Sequence, residues 1–173
     1  MDDVLITDRL ILRKLKQDDA ELIFKNWTSD TEVTKYVTWE THKNIKETTE
    51  ILNIWLKEYE SPKTVRFGIV LKENNELIGM IDIVDFDDGV PEIGYVLSRK
   101  YWNHGYMSEA CKAFTDYLFA IGYDSLIIAA DERNIASNKV IQKTGFKFTH
   151  QERRLCSFIK PVMVTINWYA MSK

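Results

Sequence analysis

Residues 95–110, Tyr95-Val96-Leu97-Ser98-Arg99-Lys100-Tyr101-Trp102-Asn103-His104-Gly105-Tyr106-Met107-Ser108-Glu109-Ala110, read as the end of a strand, a turn and the start of a helix. The strand begins at Val90. Beyond the turn, Ser108 to Ile121 puts Cys111, Phe114, Leu118 and Ile121 on one helical stripe, and Gly122 is suited to the left-handed conformation that ends helices. Leu126 to Ala130 is then a short, wholly apolar strand. A helix of this length between two strands returns the chain to the same edge of the sheet. Val90 to Leu97 and Leu126 to Ala130 are therefore expected to lie parallel.

Working outward, Val65 to Lys72, Leu77 to Phe86 and Val90 to Leu97 are separated by the turns Glu73-Asn74-Asn75-Glu76 and Asp88-Gly89, which predicts an antiparallel meander. Thr7 to Leu15 reads as a strand with Leu10 and Leu12 on one face. Asp18 to Trp27 and Asn44 to Tyr59 read as helices, the first behind possible Asp caps, and Ser29 to Lys43 between them as a loop or broken helix. After the apolar strand come a helix from Ile135 to Thr144, stopped by Gly145, and strands around Phe146 to His150 and Val162 to Met171. The expected class is α/β, a mixed sheet with flanking helices, and residues 1–173 are expected to form one domain, since no repeat or linker interrupts them.

Composition narrows the function. The 173 residues are 45% apolar, enough for one hydrophobic core, and 23 basic against 26 acidic side chains leave no basic block to grip nucleic acid. No apolar run exceeds five residues and the start Met1-Asp2-Asp3 is acidic, so neither a membrane span nor an export signal is expected and the reading is cytoplasmic. Cys111 and Cys156 lack metal-type spacing and read as packing residues. His42, His104 and His150 are scattered, so no metal site is expected.

Two segments carry chemistry. A helix N-terminus has N–H groups without intrahelical partners and a positive dipole end, so the turn holding Gly105 can receive a phosphate; it reads equally as a tight connection. Asp131-Glu132-Arg133-Asn134-Ile135-Ala136-Ser137-Asn138-Lys139 follows a parallel strand, at the sheet edge where ligands bind in such folds. Asn134 also fits a plain N-cap accepting from the Ser137 N–H.

Thr7-Asp8-Arg9-Leu10-Ile11-Leu12-Arg13, Glu92-Ile93-Gly94-Tyr95-Val96-Leu97, the turn Tyr101 to Ala110, Asn134-Ile135-Ala136-Ser137-Asn138 and Lys143-Thr144-Gly145-Phe146 occur in an order and spacing that resemble a GNAT-type N-acetyltransferase. The likeness is to the RimJ/RimL-like branch, which modifies ribosomal-protein N-termini, and covers nearly all of the chain. It implies a mostly antiparallel twisted sheet with a central βαβ unit. Acetyl-coenzyme A would lie between splayed parallel strands, its pyrophosphate on the N–H groups of Asn103, His104, Gly105, Tyr106, Met107 and Ser108. Gly105 matches the central Gly of the Arg/Gln-x-x-Gly-x-Gly/Ala pattern. Trp102 replaces its polar first position, and Met107 stands where a small residue is usual, so the Met107 side chain must point away from the phosphates. By the same resemblance Asn134 holds the pantetheine arm, Ser137 protonates the coenzyme A sulfur, and Lys139 belongs to the cofactor-binding set.

Acetyl transfer to an amine needs a base, donors for the carbonyl oxygen and a proton for the thiolate. The backbone of Val96, Leu97 and Ser98 is the candidate donor. Glu92 shares parity with Gly94 and Val96 and is the candidate base, though a strand carboxylate can equally orient a loop by salt bridge. Ser137 can equally be a first-turn Ser satisfying local backbone. Trp27, Tyr36, Trp39 and Phe86 are candidate walls of the acceptor pocket, with Asp82, Asp85, Asp87, Asp88 and Glu92 favouring a cationic amine; the same residues read as core aromatics beside a solvated acidic hairpin. The expected activity is acetylation of a protein N-terminal α-amine by direct attack in a ternary complex, in a monomer or homodimer. The alternatives are acetylation of a small amine, such as a polyamine, amino acid or antibiotic, and a catalytically silent acyl-coenzyme A sensor.

Overall fold

The computed structural model describes residues 4–173, so the acidic start Met1-Asp2-Asp3 lies outside the described residues. The elements run β1 (Leu5–Ile6), β2 (Leu10–Arg13), α1 (Ala20–Ile23), α2 (Ile45–Glu58), β3 (Arg66–Leu71), β4 (Glu76–Asp87), β5 (Val90–Leu97), α3 (Tyr106–Ala120), β6 (Ser125–Asp131), α4 (Ile135–Thr144), β7 (Lys147–Leu155) and β8 (Met163–Ser172). The strands form one sheet in the order β1-β2-β3-β4-β5-β6-β8-β7. β5 and β6 pair in parallel and the other neighbours antiparallel, as the mixed α/β reading expects.

Each face of the sheet has its own apolar layer. Met107, Ala110, Cys111, Phe114 and Leu118 of α3, with Ile141 of α4, pack against Leu10, Leu12, Phe67, Ile69, Ile93, Leu97 and Ile128. Ile23 and Trp27 from the α1 region and Leu52 of α2 pack on the opposite face against Leu15, Val70, Leu77, Met80 and Val96. The alternation of strand side chains thus assigns Ile93 and Leu97 to the α3–α4 side and Val96 to the α1–α2 side.

Local chemistry explains where elements differ from the sequence reading. Thr7 to Leu15 is two short strands, because the Thr7 N–H and hydroxyl both bond the Leu10 carbonyl and close a turn between them. The expected helix at 18–27 is a 3-10 turn (Gln17–Asp19), the α turn of α1 and a π-helical stretch (Phe24–Thr28). Asp19 caps nothing ahead of α1. It turns back to accept from Lys16 N at 2.7 Å and to fork with Arg13 at 2.8 and 2.9 Å. In Ser29 to Lys43 the chain is irregular apart from a 3-10 turn at Thr34–Tyr36.

The ladder between β5 and β6 holds at Glu92↔Ile127 and Ile93↔Ile128, although β5 continues to Leu97 and β6 to Asp131. β8 stays paired with β6 to its end, up to Asp131↔Ile166. The two parallel strands therefore diverge past Ile93, and a gap opens between the faces of the sheet.

Candidate active site

At the far end of β5 the chain makes a 3-10 turn (Arg99–Tyr101), and the Trp102 indole N–H donates to the Leu97 carbonyl at 2.8 Å. Asn103 and Gly105 then take φ values of +63° and +80°, and α3 starts at Tyr106, two residues before the expected Ser108, with no side chain capping it. The first-turn amides of Tyr106, Met107 and Ser108 thus face out of the helix end, where an anion fits. The Met107 side chain is buried in the core, away from that end. Arg9 braces the turn: it donates to the His104 carbonyl at 2.9 Å and to Glu109 at 2.7 Å, and lies over the Tyr106 ring. His104 stacks on the Tyr106 ring, its Nδ1 2.7 Å from the Trp102 carbonyl.

Backbone direction in the gap follows from alternation. The Ser98 N–H bonds the Ile78 carbonyl of β4 at 2.8 Å, so the backbone groups of Val96 turn the same way and those of Tyr95 and Leu97 turn toward β6. Of the three expected donors, Ser98 is already committed, the Val96 amide faces β4, and the Leu97 N–H remains for a ligand in the gap.

On the α3–α4 side, Asn134 accepts from the Ser137 N–H at 3.1 Å, as its N-cap reading requires. The Tyr95 hydroxyl, buried there, lies 2.9 Å from Ser137 Oγ and 3.2 Å from the Ser137 carbonyl, and burial pushes its phenol far above the ordinary tyrosine range. Tyr95 was missed in the sequence because its partner is 42 positions away. Asn138 secures this end of α4: its amide donates to the Asp131 and Asn134 carbonyls, and its oxygen accepts from Asn167 and Tyr169. Lys139 is exposed on α4.

On the α1–α2 side, Glu92 is half-buried and no protein group hydrogen-bonds its carboxylate among the described residues. Burial raises its pKa, Arg154 pulls it back, and Asp85 and Asp87 push it further up. The Ser29 to Lys43 segment roofs this side by gripping the β7–β8 connection: Lys160 Nζ donates to the Thr34 carbonyl at 2.7 Å, and Ser157 Oγ to the Thr38 carbonyl at 2.6 Å. Tyr36 lies under Arg133 at 5.9 Å, beside the end of β6, and Trp39 packs on His42.

Two candidate wall residues are elsewhere. Trp27 has no exposed surface, because the Ile23–Trp27 spacing puts both in the core. Phe86 sits 6.3 Å from Tyr123, whose ring packs against the α3-side core, and so leaves the acceptor face. Asp82 is buried in an ion pair with Arg66 at 2.8 Å rather than facing an acceptor, whereas Asp85, Asp87 and Asp88 are exposed on the hairpin. Among the described residues no group of His, Cys, Asp and Glu gathers as a metal would require, and no helix is long and apolar enough to cross a membrane.

A family model described as an acetyltransferase (GNAT) domain matches residues 9–147. The chain belongs to the GNAT acetyltransferase family. It is 33% identical over 147 residues to the uncharacterized N-acetyltransferase YoaA of Bacillus subtilis, covering 83% of this chain and 82% of that protein. The GNAT acetyltransferase of Bacillus anthracis superposes with a TM-score of 0.84 at 27% identity, over 98% of both chains. The RimL L7/L12 α-N-protein acetyltransferase in complex with coenzyme A shares the fold, with a TM-score of 0.85 at 16% identity and 98% of both chains covered. This GNAT chain is an acetyl-CoA-dependent N-acetyltransferase. Its uncapped α3 end and strand gap have the donors a pyrophosphate and a pantetheine arm need.

Gly105 tests that fit. A Cβ there meets Arg9 Nη2 at 3.4 Å, on a backbone with φ of +80°. Gly105→Ala is expected to cost about 1–2 kcal/mol of strain in the turn and to raise the KM for acetyl-CoA with little change in kcat, as initial rates at varied acetyl-CoA would show.

Proposed function

We propose that this enzyme acetylates an α-amine at a protein N-terminus by direct attack in a ternary complex, with Glu92 as base and Ser137 as acid. One observation carries the reading: an unpaired, half-buried carboxylate and the Tyr95–Ser137 hydroxyl pair stand on opposite faces of the sheet at the same gap. RimL, whose fold this chain shares, acts on the α-amine of L7/L12.

Bound acetyl-CoA supplies an activated acetyl group and a thiol leaving group. Glu92 takes the proton the amine sheds as the new C–N bond forms. The Leu97 N–H, turned into the gap, donates to the negative charge growing on the carbonyl oxygen. Ser137 gives its proton to the sulfur as the C–S bond breaks and regains one from water. Asn134 and Lys139 serve the coenzyme side, and Tyr36 and Trp39 line the approach of the acceptor.

Free-thiol release with acetyl-CoA and a panel of peptides and small amines tests the assignment. Release that depends on a peptide with a free N-terminus supports it. Release with polyamines or antibiotics alone replaces it with a small-amine activity, and tight binding without release makes the protein a sensor.

A further inference from the structure

On the α1–α2 face, the register of four strands brings opposite charges to one side of the sheet. Glu92 of β5 stands beside Ile127 of β6, Ala129 lies two residues along the same face, and Ala129 pairs with Trp168 of β8. Arg154 of β7 leans back along the hairpin and lays its guanidinium over the Trp168 ring, 5.1 Å from its centre. On this face Ile127, Ala129 and Trp168 therefore lie between Glu92, with Asp85 and Asp87 of the β4–β5 hairpin, on one side and Arg154 on the other.

Arg154 is held loosely. Its contact with Glu152 is 3.9 Å, and that carboxylate also accepts from the Trp168 indole at 3.1 Å. The arginines with structural duties sit much closer to theirs: Arg13 at 2.8 Å, Arg66 at 2.6 Å and Arg133 at 2.6 Å. Arg154 also acts electrically on Glu92, yet the two form no ion pair among the described residues. A planar guanidinium fork, backed by an aromatic ring and on the same sheet face as a carboxylate, suits a ligand with a cation at one end and a carboxylate at the other.

We propose that Arg154 anchors the acceptor by binding a carboxylate close to the amine being acetylated, so that preferred acceptors carry both groups: a peptide with an acidic first residue or a free amino acid. The proposal rests on the α-amine reading above, with Glu92 receiving the amine.

Initial rates of thiol release test it, using Glu-Ala-Ala amide, Ala-Ala-Ala amide, free glutamate and spermidine with the wild-type enzyme and Arg154→Met. The expected result is a lower KM for an acidic acceptor than for the alanine peptide, which Arg154→Met raises about tenfold or more while leaving the alanine peptide's KM and its kcat on the alkaline plateau unchanged; only the pH limb of kcat moves up, because Arg154 no longer lowers the Glu92 pKa. Arg154→Lys, a charge without the fork, should recover part of the loss. An effect confined to free glutamate identifies the carboxylate as that of an amino acid; an effect on the glutamyl peptide identifies it as a side chain. Equal KM values for the alanine peptide and both acidic acceptors, the glutamyl peptide and free glutamate, or a rise in KM shared by all three in Arg154→Met, overturns the anchor and leaves the α-amine reading standing. Transfer to spermidine alone overturns both.

Discussion

Glu92→Gln is expected to lower kcat by about 10²–10⁴-fold, the range a positioned general base contributes, with the KM for acetyl-CoA unchanged. Burial is the main influence raising the Glu92 pKa, opposed by Arg154 and reinforced by Asp85 and Asp87. The wild-type rate should therefore climb as pH rises through an elevated carboxyl pKa, and the variant should lose that limb. Stability moves the other way. A carboxyl whose folded pKa lies above its unfolded one favours folding while protonated, and that contribution is lost as pH rises through the folded pKa. Glutamine never ionises, so Glu92→Gln should melt no lower than wild type at neutral pH, and its inactivity would not be a folding defect. Full activity with an unchanged pH profile would remove Glu92 as the base.

Ser137→Ala should lower kcat by about 10²-fold or more and leave the acetyl-CoA dissociation constant, read by calorimetry, where it was. The Asn134 side chain accepts from the Ser137 backbone N–H, so the substitution leaves the helix cap in place. The buried Tyr95 hydroxyl lies 2.9 Å from Ser137 Oγ and so acts on the sulfur through the serine. When the phenol donates to Ser137 Oγ, the serine hydrogen is freed for the gap, which makes Tyr95 a positioning residue. Tyr95→Phe should thus cost part of what Ser137→Ala costs, and nothing further in the double variant. Turnover of Ser137→Ala at the wild-type level would mean that water or another group protonates the sulfur.

The parallel pair and the turn were legible because each rests on local pattern: the bounds of β5 and α4 match the sequence reading, and Gly105 marks the helix start through its positive φ. The sequence pattern points to a strand only around Phe146 to His150, whereas β7 runs to Leu155, because Thr149 to Arg154 is a polar, mostly exposed edge without alternation. Trp27 and Phe86 could not be sorted into pocket or core, since that depends on which face each strand and helix turns inward. Arg154 and Trp168 carry no signal in the sequence, for a topological reason. Nothing local says that the last strand of the described sheet inserts between β6 and β7, and that insertion alone carries them to the face Glu92 occupies.

That insertion also governs the order in which the enzyme is built. β7 sits at the sheet margin with β8 as its neighbour, and β8 is the later of the two in the chain. During translation β7 must wait, unpaired, until β8 leaves the ribosome, so the coenzyme half can be assembled while the wall bearing Arg154 is still missing. A nascent chain arrested before Met163 would therefore be expected to have the Gly105 turn and α3 but no complete seat for the proposed acceptor, and acetylating competence would arrive late in synthesis.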